Sequence, residues 1–213
     1  MALTDEEIRD LQEIIKKESS TKEGEIITDK KGRPYQIVND VDETTQALAV
    51  VPVDNIKGDN PDYSQTAIVV AGTQPGFTES TKNAIEARGK MTPQVDDISD
   101  FYDSTAAKLE KAHGGGTISN MSGFSQSGPA VAKVAAQHQV PKITNFMDWG
   151  ASSSLYSKDN PKGITAEEKT WLDKHATIYM DSTRDVTYLD GKSHGDIPYG
   201  KKYIVERRQF FIS

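Results

Sequence analysis

The sequence contains no cysteine. Disulfides, thiolate metal sites and a cysteine nucleophile are therefore excluded. Histidine is scarce, with four in 213 residues. Any chemistry that needs an imidazole must draw on His113, His138, His175 or His194. No stretch approaches the ~18 consecutive apolar residues of a membrane-spanning helix. The opening residues, Met1-Ala2-Leu3-Thr4-Asp5-Glu6-Glu7, are acidic and lack a basic segment followed by an apolar one. They do not read as a secretory signal, so the expected location is the cytoplasm or the exterior reached by a non-classical route. Positive charge is in deficit as well: 25 Lys and Arg against 32 Asp and Glu leave a net charge of −7. That balance argues against a nucleic-acid partner, which needs a basic patch. It also argues against simple electrostatic docking on anionic membranes. There is no H-E-x-x-H pair, no EF-hand loop and no G-K-[ST] after Gly114-Gly115-Gly116. The Asp96, Asp97, Asp100 and Asp103 run fits a solvated helix face better than a Ca²⁺ site. No metal and no cofactor is expected.

What is present is the composition of a folded chain, 35% hydrophobic and 27% charged. At this length it reads as one domain, residues 1–213, with 1–65 supplying an N-terminal helix and accessory strands. Thr4 and Glu7 have capping-box spacing ahead of the helical run Ile8, Leu11, Ile14 and Ile15. Strand-like runs fall at 34–39 and 46–53, divided by an acidic turn at Asp40-Val41-Asp42-Glu43. Residues 54–65 read as a loop. The continuous apolar run 66–71 suits a strand buried on both faces. Helices are expected over 93–112, 127–138 and 165–175, with strands at 117–122, 142–148, 176–181 and 202–206. This alternation predicts a mostly parallel sheet with helices on both faces. The site of such a sheet lies beyond the carboxyl ends of its strands.

The segment Ser122-Gly123-Phe124-Ser125-Gln126-Ser127-Gly128-Pro129 lies where a strand passes into a helix. A nucleophile elbow needs that context, because its sharp turn admits only small residues two positions from the nucleophile. Gly123 and Ser127 hold those positions around Ser125, and the Gln126 N–H would face a developing oxyanion. Ser127 is the rival nucleophile, with Pro129 two residues beyond it. The base, by elimination, is His194 in the late loop Gly191-Lys192-Ser193-His194-Gly195-Asp196. His138 lies on the helix after the elbow, and His175 ends a helix, where a cation is favoured. For the acid that orients the imidazole, Asp185 ranks first, Asp148 second and Asp181 third. A second oxyanion donor would come from Gly72-Thr73, through the Thr73 N–H or hydroxyl. Phe77, Phe101, Phe124, Phe146 and Trp149 are available for an acyl pocket, with core packing the expected role of most.

Ile68-Val69-Val70-Ala71-Gly72-Thr73 resembles the strand and Gly-Thr or Gly-Ser turn of class-3-type lipases of the α/β-hydrolase superfamily. Ser122 to Gly128 resembles their G-H-S-L-G-G elbow, with Phe124 for His and Ser127 for Gly. Ile178 to Val186 resembles the strand leading to their acid, at Asp185, and Ser193-His194-Gly195 stands where their late histidine falls. The resemblance spans residues 66–205 and implies an α/β-hydrolase fold with a Ser125, His194, Asp185 triad acting on a lipid or other carboxylic ester. On the Ser125 elbow, the Thr73 turn and the absent signal, the chain also resembles the lipase domain of type VII secretion lipase toxins of Gram-positive bacteria. That likeness implies lipase or phospholipase activity on membrane lipids, a secretion partner and an immunity protein. A catalytically silent hydrolase-fold binding module, a thioesterase, a peptidase and an acyltransferase are the alternatives.

Overall fold

In a computed structural model of the protein, which describes residues 2–17, 21–76, 78–87, 90–181 and 197–205, Thr4 and Glu7 close the cap that their spacing predicts. The Thr4 N–H donates to the Glu7 carboxylate at 2.8 Å, and the Glu7 N–H donates to Thr4 Oγ1 at 3.3 Å. The helix they open, α1, spans Asp5–Lys17. Its apolar stripe of Ile8, Leu11 and Ile15, with Leu3 ahead of it, is buried against Leu48, Val50, Ala67 and Val69. Burial of side chains this size is worth about 1.5–3 kcal/mol each. Tertiary packing, more than intrinsic propensity, therefore holds this short helix.

The strands are β1 (Ile26–Thr28), β2 (Pro34–Asp42), β3 (Gln46–Pro52), β4 (Thr66–Val70), β5 (Ile118–Gly123), β6 (Lys142–Phe146), β7 (Ala176–Asp181) and β8 (Lys201–Val205). They form one eight-stranded sheet in chain order. Neighbours from β1 to β4 are antiparallel, and those from β4 to β8 are parallel. The helices between the later strands are α2 (Glu79–Ala87), α3 (Gln94–His113), α4 (Ser127–Gln137) and α5 (Ala166–His175). The parallel strands advance in one direction, so crossovers of one hand deliver their helices to one face. Accordingly α3, α4 and α5 share a core with Ile68, Val70, Met121, Ile143 and Ile178, whereas α1 covers the opposite face. The protein is thus α/β, with a mostly parallel sheet and helices on both faces. Thr165 and Glu168 close a second capping box at the start of α5.

Several boundaries differ from the sequence expectation. The acidic residues Asp40 to Asp42 belong to β2 rather than to a turn, and Asp42 pairs with Gln46. The strand expected over 142–148 stops at Phe146, because Met147 adopts a positive φ of 49°. Strand β1 and helix α2 were not expected. Among the described residues no helix is long and apolar enough to cross a membrane.

Candidate active site

The β4–β5 register sets the site. Val70 pairs with Gly123 at the carboxyl ends of the two strands. Two residues further on each chain lie Gly72 and Ser125, which face one another: a Cβ built on Gly72 would stand 3.1 Å from Ser125 Cβ. The strand ends are stitched from both faces. From α1, Gln12 Nε2 donates to the Val70 carbonyl at 3.2 Å and to the Ser122 carbonyl at 3.0 Å. From α4, Ser127 Oγ donates to the same Val70 carbonyl at 3.2 Å.

Ser125 occupies the turn between β5 and α4 with φ of 53°. A non-glycine residue at positive φ is uncommon and carries strain that its surroundings must hold in place. Three backbone bonds do so. The Ser125 N–H donates to the Phe146 carbonyl at 3.1 Å, and the Ser125 carbonyl accepts from Gly128 N–H and Trp149 N–H, both at 3.0 Å. The turn is closed tightly: a Cβ on Gly123 would meet the Ser127 carbonyl at 2.8 Å. Ser125 is half-buried at the surface of the turn, whereas Ser127 is fully buried. Ser127 Oγ accepts the Phe124 N–H at 2.7 Å, so this side chain braces the turn from within.

Two backbone N–H groups, of Thr73 and Gln126, belong to the segments that follow β4 and β5 at this end of the sheet. Neither the Gln126 N–H at the start of α4 nor the Thr73 N–H next to Gly72 finds an acceptor among the described residues. The positive end of α4 adds to the local preference for negative charge. Thr73 is exposed and Gln126 is buried, with its side-chain amide turned away toward Ser80.

The carboxylates and histidines sort by sheet edge. Asp148 and Asp181 lie at the carboxyl ends of β6 and β7, the edge that carries Ser125. Asp148 is fully buried beneath the first turn of α4, and a Cβ on Gly128 would collide with its carboxyl group at 2.4 Å. It accepts from Asn145 Nδ2 at 2.6 Å, Gly150 N–H at 2.7 Å and the Tyr199 hydroxyl at 2.9 Å. Burial and the adjacent Asp148 charge push the Tyr199 hydroxyl well above its ordinary pKa, so it stays a donor. Three histidines lie at the opposite edge. His113 and His138 sit at the ends of α3 and α4, before β5 and β6, and His175 ends α5 just before β7. Each stacks on an aromatic ring: on Tyr63 at 3.9 Å, Tyr102 at 3.8 Å and Trp171 at 3.9 Å. Helix α4 alone, at 1.5 Å per residue, separates His138 from Ser125 by ~16 Å. Asp185 and His194, and Phe77 among the acyl-pocket residues, lie outside the described residues.

Phe101 is a core residue of α3 itself, and Phe146 joins the α1-side core, where its ring lies 5.5 Å from that of Tyr179. Phe124 is half-buried beside the turn, where its ring would lie 3.0 Å from a Gly72 Cβ. Among the described residues no group of three or more His, Asp or Glu is arranged to hold a metal ion. Of the acidic residues of α3, Asp97 accepts from Thr45 Oγ1 at 2.6 Å and Asp96 pairs with Lys162. The side chains of Gln12, Ser80 and Tyr199 enter the site's framework with no local signature in the sequence; each meets its partner only through the fold. Comparison with protein-family models, with curated proteins and with solved structures finds no match in any of the three.

Proposed function

We propose that this chain is a serine hydrolase of the α/β-hydrolase fold that cleaves carboxylic esters, with Ser125 as nucleophile. The observation that carries the reading is the positive φ of Ser125, in a turn from β5 into α4, beside Gly72 and two backbone N–H groups that have no acceptor among the described residues. A strained serine presented at a strand–helix turn is the arrangement by which a hydroxyl is held out to a substrate carbonyl.

In this mechanism Ser125 Oγ attacks the ester carbonyl and gives its proton to the base. The Thr73 and Gln126 N–H groups stabilise the oxyanion as charge develops. The base returns the proton to the leaving alcohol, and water then releases the acid from the acyl-enzyme. His194 is the base. The placement of His113, His138 and His175 at the far edge of the sheet supports this, since it leaves His194 as the chain's remaining imidazole. Asp185 orients it, following β7 by four residues. Asp148 serves the framework, with bonds from Asn145, Gly150 and Tyr199 locking the loop after β6 under the nucleophile's helix.

The choice of lipid esters, the type VII export route and the secretion and immunity partners rest on the resemblance of the Gly72-Thr73 turn and the Ser125 elbow to the lipases named above. Hydrolysis of p-nitrophenyl esters from acetate to palmitate by wild type and Ser125→Ala tests both levels. Turnover lost in the variant supports the serine hydrolase, and a preference for long chains supports the lipase. Equal turnover by the two proteins overturns the nucleophile.

A further inference from the structure

The two oxyanion donors belong to separate segments, the loop after β4 and the start of α4, and something must fix the distance between them. One hydroxyl touches both segments. Ser80, in the first turn of α2, is buried at 2% exposure. Its Oγ accepts from Gln126 Nε2 at 2.6 Å and from the Gln74 N–H at 3.4 Å. Gln126 Nε2 also donates to the Ser80 carbonyl at 3.2 Å, which fixes the amide orientation because a carbonyl can only accept. Gln126 thus carries one donor on its backbone while its side chain holds Ser80. Gln74 is bonded to the same hydroxyl and directly follows Thr73, which carries the other donor.

We propose that Ser80 is a positioning residue of the esterase site: its hydroxyl clamps the Thr73–Gln74 loop to the Gln126 turn and so sets the spacing of the two oxyanion donors. The inference rests on the serine-hydrolase reading above. Ser80 itself contacts neither substrate nor nucleophile. Loss of one oxyanion donor costs roughly 10²–10³ in kcat. Loosening the clamp leaves both donors present but displaced, so the loss is smaller, about 10- to 100-fold. It falls on kcat, because the oxyanion exists only in the transition state and the intermediate.

The test compares wild type, Ser80→Ala, Ser80→Thr, Gln126→Leu and the Ser80→Ala/Gln126→Leu double variant on p-nitrophenyl butyrate, with Ser125→Ala as the reference for the reaction. Ser80→Ala is expected to lower kcat about 10- to 100-fold with KM within about twofold. Ser80→Thr, which keeps the hydroxyl, restores kcat to within about threefold of wild type. The double variant is no slower than the slower single variant, because both cut the same bond. A Ser80→Ala kcat within twofold of wild type, or single effects that multiply in the double variant, overturns the clamp while leaving the nucleophile assignment intact. If Ser80→Ala does not fold, Gln126→Leu, which keeps its backbone N–H, carries the same expectation and the same refutation. A wild type with no Ser125-dependent turnover overturns the underlying reading and the clamp with it.

Discussion

Replacing Gly72 by alanine places one methyl group in the gap between the loop after β4 and the Ser125 turn, the nucleophile turn of the proposed hydrolase. Its Cβ would stand 2.8 Å from the Phe124 carbonyl oxygen, 3.0 Å from the Phe124 ring and 3.1 Å from Ser125 Cβ. Two of these neighbours are backbone or Cβ atoms of a tight turn, which cannot swing aside as the end of a flexible side chain would. Ordinary carbon contacts begin near 3.4 Å, so the two segments must part by about 0.6 Å. A displacement of ~1 Å in a positioned group can cost ~10²-fold in rate. The expected loss for Gly72→Ala is therefore about 10- to 100-fold in kcat, with KM little changed. Overpacking should also cost roughly 1–3 kcal/mol of stability. Steady-state hydrolysis of p-nitrophenyl butyrate gives the rate, and urea unfolding gives the stability. A folded Gly72→Ala protein with wild-type kcat would refute the claim that Gly72 lines the reaction centre.

Other substitutions separate framework from chemistry. Ser127→Ala removes the hydroxyl that accepts Phe124 N–H and donates to Val70, and should cost about 1–2 kcal/mol in urea unfolding while retaining Ser125 reactivity. Asp185→Asn should cut turnover strongly through the wrong imidazole tautomer, whereas Asp148→Asn should chiefly lower stability, because one amide oxygen cannot satisfy three donors. The reverse ranking in folded proteins would make Asp148 the acid. Asp5 reports the docking of α1: burial pushes its carboxyl up, but hydrogen bonds from Tyr179, Lys142 and Thr144 and the Lys142 charge outweigh that and hold it below its ordinary pKa. A depressed carboxyl contributes stability above its unfolded pKa of ~3.9 and loses it as pH falls through the folded value. The Tm difference between wild type and Asp5→Asn should thus be largest near neutral pH and shrink below about pH 4; a difference that grows on acidification would contradict the assignment.

How far the site was legible follows from the range of its interactions. The Thr4–Glu7 and Thr165–Glu168 caps and the passage from β5 through Ser125 into α4 are local, and the sequence pattern carries them. The proximity of Gly72 to Ser125 was legible as a motif, although its cause is the parallel β4–β5 register. Strand β1 has three residues and exists through its pairing with β2, so no periodicity announces it. Helix α2 has nine residues and buries only Ser80 and Ala84, so no apolar stripe announces it. Asp40 and Asp42 read as turn residues, but cross-strand pairing with β3 overrides that preference. Gln12 and Ser80 were not legible because their partners lie 110 and 46 residues away, and a buried polar side chain takes its meaning from what the fold brings to it.

Fluorophosphonate labelling followed by peptide mass mapping tests the central claim most directly, since the probe reacts with a serine activated by a base and an oxyanion hole and spares an ordinary turn serine. The wild type should be labelled stoichiometrically on Ser125, Ser127→Ala should still be labelled there, and Ser125→Ala should take up no label. A wild type that stays unlabelled while folded, or a label mapped to Ser127, would contradict the account.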